Sequence, residues 1–477
     1  MFVQKELFGE DKHVEFKAEI PKKHEKFLKD IIAFANTSGG KIIVGVEDET
    51  GKIVGLGDQN PFKLSDAISN MISDACTPQI NMEITPKTVG SETVLEVEVF
   101  PGRYRPYYLA SVGKERSTYI RVNGTSRPAD ERKLKELELE GQRISYDTMQ
   151  EIGAEYDEAA VKQLMQSMYQ AAQDACRNDE ERADVHPLTF KKLEDFGILC
   201  KDGRDYMPTH AFTLLTNPTD RNIKIQCAVF KGTERDEFID KKEFRGPIQQ
   251  QVEEAYQFVL RHSNRSAVIE GLYRHDAYEL PTQSIREIIA NACLHRSYLD
   301  SSAIQVSIYD DRLEVDSPGM LYDGLNVTEA LAGKSKCRNT AIAEAFQYMK
   351  IIEGWGTGLP RLLRQCREMN LPEPKFEEFG DGIKVTIYRA NGANEANVEA
   401  NEANEANREA NEAESGAVQD QILRLIKTNP KISQTRIAGE IGVSRSTIQR
   451  AFGKLIESGQ VQRTGGTRGS WIIQEKH

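Results

Sequence analysis

No run of apolar residues in this chain approaches the roughly 20 needed to span a bilayer. Runs such as Ile42-Ile43-Val44 stay far short of it. The start, Met1 to Lys17, is charged and holds no apolar stretch of the signal-peptide kind, so a cytoplasmic location and no membrane partner are expected. Seven cysteines lie scattered at 76, 176, 200, 227, 293, 337 and 366. None of their spacings suits a metal and the number is odd, so reduced, buried thiols are expected. The chain has no Gly-x-x-x-x-Gly-Lys-Ser/Thr loop, which excludes a motor of the P-loop type. It also lacks a positive excess: 62 Lys and Arg face 74 Asp and Glu, for a net charge of −12. A uniformly basic nucleic-acid binder is thereby excluded.

What is present is unevenly placed. A length of 477 residues is too great for one core and implies three or four domains. A charged fraction of 29% and a mean hydropathy of −0.54 fit a soluble protein. Residues 391–415 run in Asn-Glu-Ala triplets, with seven Glu, one Arg, one Val and no aromatic residue. Nothing there can offset the entropy of ordering, so the segment reads as an acidic linker. Beyond it, residues 416–477 carry ten Lys/Arg against four Asp/Glu. A locally basic surface is what phosphate binding needs, whatever the sum over the chain.

Before the linker the pattern suggests three units: 1–130, 131–280 and 281–390. The first alternates helix and strand, with helices over Glu25–Asn36 and Phe62–Cys76 and strands over Lys41–Glu47, Asn81–Val89, Thr93–Phe100 and Tyr119–Val122. The second holds helices Glu158–Cys176 and Gly246–Arg261 and a buried strand Ile223–Phe230. The third opens with a helix at Pro281 and closes with a strand Gly382–Tyr388.

The tail can be read from its residues alone. Ile422, Leu425 and Ile426 have helical spacing. Ser433 caps a second helix with Ile437, Ala438 and Ile441 inside, and Gly442 makes the turn. Ser444 caps a third helix with Ile448, Ala451, Leu455 and Ile456 inside. Gln460–Arg463 and Ser470–Ile473 alternate around a Gly-rich, basic tip. Three helices and a hairpin make a winged helix-turn-helix, whose third helix enters the major groove of duplex DNA. Arg445, Ser446, Thr447, Gln449 and Arg450 would then face the bases, where Arg and Gln can bond guanine and adenine edges. Arg463 and Arg468 on the wing would meet phosphate. Such modules bind paired half-sites, so a homo-oligomer is expected.

Two phrases, far apart, carry a resemblance. The first is Glu15-Phe16-Lys17 followed by Ala33-Phe34-Ala35-Asn36-Thr37-Ser38-Gly39-Gly40-Lys41-Ile42-Ile43-Val44-Gly45-Val46-Glu47-Asp48. The second is Arg286-Glu287-Ile288-Ile289-Ala290-Asn291-Ala292-Cys293-Leu294-His295-Arg296. In this order they resemble bacterial DNA-binding regulators that join a Schlafen AlbA-like domain to a RecG-related module, over residues 10 to 390. The resemblance implies an α+β multidomain protein: a Schlafen AlbA-like α/β domain, a GHKL-like α/β sandwich and the C-terminal winged helix. The label RecG-related does not imply a helicase, for want of the P-loop.

Site residues follow from the resemblance and remain open between readings. In the first unit Asn36–Gly40 is a tight turn or a backbone platform for phosphate. Arg103, Arg105, Tyr107, Tyr108, Arg116, Tyr119 and Arg121 interleave cations with aromatics, as a nucleic-acid surface does. Glu10, Glu15 and Asp48 fall where Schlafen nucleases hold Mg²⁺ or Mn²⁺, with Lys17 beside them to steady a phosphate. The rival to a regulator is therefore a metal-dependent nuclease acting on RNA or DNA, as in phage defence. A third reading is a scaffold without chemistry.

In the third unit Glu287 and Asn291 stand four apart and share one side of a helix. They look like the first box of the GHKL ATPases, where the Asn holds Mg²⁺ on ATP and the Glu orients a water. The resemblance makes Asp316 the reader of the adenine amine. Pro318 replaces the first glycine of that loop and Gly319 stands for the second, shifted. Gly354, Gly356 and Gly358 resemble the later loop whose amides cradle phosphates. Ser335, Arg338 and Asn339 match a phrase of the RecG-related module. His295-Arg296 reads as structural. Weak ATP binding with little hydrolysis is expected.

Overall fold

Helix and strand in the first 130 residues follow from their caps and alternation. The computed structural model describes residues 13–390 apart from 49, 123, 219, 271–272 and 355, and then 421–429, 436–437, 440, 448, 455, 461–464 and 470–473. The helix His24–Asn36 buries Phe27, Leu28, Ile31, Ile32, Phe34 and Ala35 on one side. It leads into Gly40–Val44 through Gly39, whose φ of +80° only glycine adopts at little cost. Asn36, 2% exposed, locks the turn: its amide donates to the carbonyls of Tyr107 at 2.8 Å and Tyr119 at 2.9 Å, and its oxygen accepts from the Tyr107 amide at 2.7 Å. Asn36–Gly40 is thus a structural turn.

The strands Val14–Lys17, Gly40–Val44, Glu92–Val99 and Met82–Val89 lie in that order in one four-stranded sheet, the first pair parallel and the others antiparallel. A second helix, Pro61–Ala75, starts with Asn60 accepting from the amides of Phe62 at 3.0 Å and Lys63 at 3.2 Å. Its Ile68 and Ile72 close the core over Ile42, Val44, Leu95, Val97 and Val99.

The helix Glu131–Gln142 follows, capped by Asp130 on the Lys133 amide at 2.7 Å. It packs so closely that a Cβ on Gly141 would stand 1.8 Å from the Arg105 carbonyl oxygen.

A six-stranded sheet fills the rest, in the order Phe238–Phe244, Ile225–Phe230, Ile304–Ile308, Arg312–Pro318, Gly382–Tyr388, Lys375–Phe379. Ile225–Phe230 pairs parallel with Ile304–Ile308; the other pairs are antiparallel. One apolar core unites helices Glu158–Asp174, Ile248–Arg261, Thr282–His295 and Thr340–Tyr348 with Ile225, Val306, Val315 and Val385 of this sheet. The boundary expected at 280 therefore separates nothing. Strands on both sides of it share one sheet, because a parallel pair can join segments far apart in the chain.

By its contacts the chain divides into two compact units, Met1–Gly392 and Ala393–His477. The described part of the second shows a helix over 421–428, buried Ile422, Ile426, Ile437, Ile448 and Leu455, and an antiparallel hairpin of Val461–Thr464 with Ser470–Ile473. No helix among the described residues is long and apolar enough to cross a membrane. The linker 391–415 lies outside the described residues.

Candidate functional site

The six-stranded sheet and the helix Thr282–His295 enclose a cavity of about 240 Å³. Glu287, Asn291, Gly319, Gly354, Gly356 and Gly358 all line it, so six of the seven residues expected around a nucleotide converge. The helical repeat brings Glu287 and Asn291 to this wall. The helix Gly358–Glu368 starts directly against them: a Cβ on Gly358 would stand 2.4 Å from Glu287 Oε1 and 3.3 Å from Asn291 Nδ2. Arg361, one turn on, donates to Glu287 Oε2 at 3.3 Å. Burial pushes the Glu287 carboxyl up from its usual range; Arg361 opposes the rise and Glu353 adds to it.

Asp316 is not in the wall. In the strand Arg312–Pro318, side chains alternate, and Val315 and Ser317 face the cavity. Asp316 points to the other face of the sheet, where Lys384 Nζ lies 3.7 Å away and Glu314 is its neighbour. The expectation that Asp316 reads a base is corrected by one residue of register: Ser317 holds that place, and its hydroxyl donates to the Ala292 carbonyl at 2.9 Å. Also unanticipated in the wall are Lys334 and Lys336, on either side of Ser335. The signal available was their place beside Ser335, in the phrase that continues to Arg338 and Asn339.

Arg338 and Asn339 close the end of the helix Thr282–His295. Asn339 donates to the carbonyls of Leu294 and Arg296, each at 2.8 Å, and Arg338 Nε donates to that of His295 at 3.1 Å. These are carbonyls that a helix end leaves without partners. Arg338 also reaches the Met320 carbonyl at 2.7 Å, in the cavity rim. His295 stays neutral, its pKa pushed down to about 4 by burial and by the Arg338 guanidinium. Arg296, 1% exposed, bonds the carbonyls of Asn222, Asp300 and Ser302. Arg296 thus holds the chain after the helix together, while His295 stands in the cavity wall.

Arg338 extends to the helix Glu131–Gln142. Its Nη1 lies 3.8 Å from Glu136 and 3.9 Å from Glu140. Burial alone would raise the Glu136 carboxyl, but Lys133, Arg338 and a hydrogen bond from Ser297 outweigh it and hold it at about 2.

The first unit rearranges the expected sites. Arg105 is 5% exposed and bonds Glu140 at 2.7 Å and the Thr37 carbonyl at 2.6 Å, so it presents nothing to a phosphate. Arg121 is 4% exposed and bonds Glu15 at 2.7 Å and Ser126 at 3.1 Å, over the Phe34 ring. Both are corrected from surface to core. Arg103 is exposed. Glu15 has Arg121 on one oxygen and Lys17 on the other. Both oxygens of Glu15 are thus engaged by cations. Asp30, not foreseen, completes the network, 3.8 Å from Lys17 and bonded by Ser126 at 2.7 Å. Asp48 is exposed and shares a surface recess with Lys17, Lys26, Lys29 and Asp30. Glu10 lies outside the described residues, and among those described no three His, Cys, Asp or Glu side chains are grouped to hold a metal.

In the tail, Arg463 sits opposite Trp471 in the hairpin. Arg445, Ser446, Thr447, Gln449, Arg450 and Arg468 lie outside the described residues.

Comparison with known proteins gives three family matches and several similar solved structures. Residues 10–130 match the family described as Schlafen, AlbA_2. Residues 301–387 match "Putative ATP-dependent DNA helicase recG C-terminal". Residues 420–462 match a winged helix-turn-helix DNA-binding family. Among solved structures the chain is similar to the DIP2311 protein of Corynebacterium diphtheriae, at 19% identity over 97% of this chain and 92% of that one, with a TM-score of 0.41. It is also similar to the N-terminal domain of a "Putative ATP-dependent DNA Helicase RecG-related Protein" of Nitrosomonas europaea, at 23% identity over 27% of this chain and 89% of that one, with a TM-score of 0.20. Sequence, cavity and family matches thus agree on the architecture: a Schlafen AlbA_2 region, an ATPase-like region of the recG C-terminal type and a winged helix-turn-helix, in that order.

Proposed function

We propose that the protein is a cytoplasmic transcriptional regulator that binds duplex DNA through its tail and is tuned by a nucleotide in the cavity. The observation that carries the reading is the DNA-binding winged-helix match at 420–462, on a tail of ten Lys/Arg against four Asp/Glu. Arg445, Gln449 and Arg450 read base edges in this reading; Arg463 and Arg468 meet phosphates. Two copies of the chain bind paired half-sites.

The cavity's donor set suits a nucleotide. Asn291 offers a carboxamide oxygen to the Mg²⁺ of the ligand, and Gly354, Gly356 and Gly358 in the same wall leave room for phosphate to approach the backbone. A bound Mg²⁺ would neutralise phosphate charge. Arg361 engages the Glu287 carboxylate that a hydrolytic water would need, which favours binding over turnover. Arg338 links the cavity rim at Met320 to Glu136 and Glu140, and Glu140 pairs with Arg105, giving occupancy a route to the first 130 residues.

Fluorescence anisotropy on a labelled duplex tests this, with intact protein and with residues 1–392, each with and without ATP and Mg²⁺. The intact chain should bind, the shortened chain should lose most affinity, and ATP should change the intact chain's affinity. No binding by the intact protein at low salt refutes the reading.

A further inference from the structure

The cavity wall shows which part of a nucleotide it can grip. Glu287 is the carboxylate lining it, and Arg361 holds that group at 3.3 Å. The acid that could discriminate a base amine, Asp316, stands on the opposite face of the sheet. In its place Ser317 directs its hydroxyl proton to the Ala292 carbonyl and keeps only lone pairs for a ligand. A neutral oxygen acceptor serves the exocyclic amine of adenine, cytosine or guanine alike. Around Ser317, by strand register, lie Ile383, Val385 and Phe376, which supply apolar area without directional bonds.

Cations stand elsewhere on the same wall. Lys334 and Lys336 line the cavity with side chains 66% and 44% exposed, paired to Glu329 at 2.6 Å and Asp323 at 2.8 Å. Such exposed pairs contribute little to stability, so exchanging a carboxylate for a phosphate oxygen costs little.

We propose that this cavity selects the polyphosphate of its ligand and tolerates any base attached to it. Its ligand class is nucleoside polyphosphates irrespective of base. Lys334 and Lys336 grip the phosphates and Ser317 sets the tolerance. The inference rests on the nucleotide reading above and specifies which part of the ligand is recognised.

Competition calorimetry on the intact protein with Mg²⁺ tests it, using ATP, GTP, CTP, inorganic tripolyphosphate and adenosine. The three triphosphates should bind within about threefold of one another, tripolyphosphate should displace them, and adenosine should not. Lys334→Ala combined with Lys336→Ala, on exposed residues that do not carry the core, should weaken all three by a common factor of about ten. Asp316→Ala should change none of them. If ATP binds more than about tenfold tighter than GTP and CTP, or adenosine competes, the proposal is overturned and the nucleotide reading stands. If neither triphosphates nor tripolyphosphate bind, both fall.

Discussion

Arg105 and Arg338 take the two oxygens of one carboxylate: Arg105 Nη1 lies 2.7 Å from Glu140 Oε2, and Arg338 Nη1 lies 3.9 Å from Oε1. The three side chains are 3%, 7% and 6% exposed. A buried carboxylate thus holds a guanidinium from each of two regions whose family matches differ.

Glu140→Ala should leave the Arg105 guanidinium buried without its carboxylate, while Arg338 keeps Glu136. The expected loss is about 3–5 kcal/mol, the cost of an uncompensated buried charge. Urea unfolding of the intact protein measures it. Loss below about 1 kcal/mol would show that solvent reaches the network.

Acid should weaken the same junction. The Glu136 carboxyl is held at about 2, below its value of 4.5 when free. A depressed carboxyl stabilises the fold above the free value, and this stability drains away as pH falls from 4.5 toward 2. The contribution is on the order of 3 kcal/mol. His295 acts at higher pH: neutral in the fold down to about 4, it costs stability as pH falls from 6.5, where the unfolded chain takes up its proton. Glu136→Gln should lower stability at pH 7 and flatten the acid limb of the urea midpoint against pH. An unchanged limb would remove Glu136 as its source.

Gly141→Ala should destabilise, although alanine normally favours a helix by about 1 kcal/mol. The new methyl would meet the Arg105 backbone at 1.8 Å, and a backbone cannot rotate away. A net loss of about 1–3 kcal/mol is expected. A rise in melting temperature would mean that the helix Glu131–Gln142 can lift off its contact.

Arg445→Ala and Arg450→Ala should each weaken duplex binding by about 1–3 kcal/mol if the side chain reads a base edge. Titrations at several salt concentrations separate this from phosphate contact, which lowers the salt slope by about one per charge removed.

Removing several Asn-Glu-Ala triplets from 391–415 should leave the thermal transitions of both flanking units in place, since composition offers that segment no core. A large fall in either transition would show that the segment packs.

Elements with a strong period were legible in the sequence. The strand Gly382–Tyr388 was placed to the residue, and the helices at 24, 61, 158, 248 and 282 to within a few. Legibility failed where partners are remote. Arg105 and Arg121 read as surface because tyrosines surround them, yet their anions, Glu140 and Glu15, lie 35 and 106 positions away. Asp316 was chosen for its charge, while the period of two in a strand gave the wall to Ser317. Glu136, Glu140 and Asp30 carry no local signal, since one carboxylate among 74 acidic residues is marked only by what folds against it.

The parallel pairing of Ile225–Phe230 with Ile304–Ile308 decides how this protein can be cut apart. The family match at 301–387 contains four of the six strands. A fragment with those limits would leave Ile304–Ile308 as a bare edge, its amides and carbonyls open to any passing strand. The recG-type segment is a unit of sequence likeness but not of folding. Expressed alone it should aggregate, whereas a fragment reaching back to the helix Glu158–Asp174 keeps its edge covered.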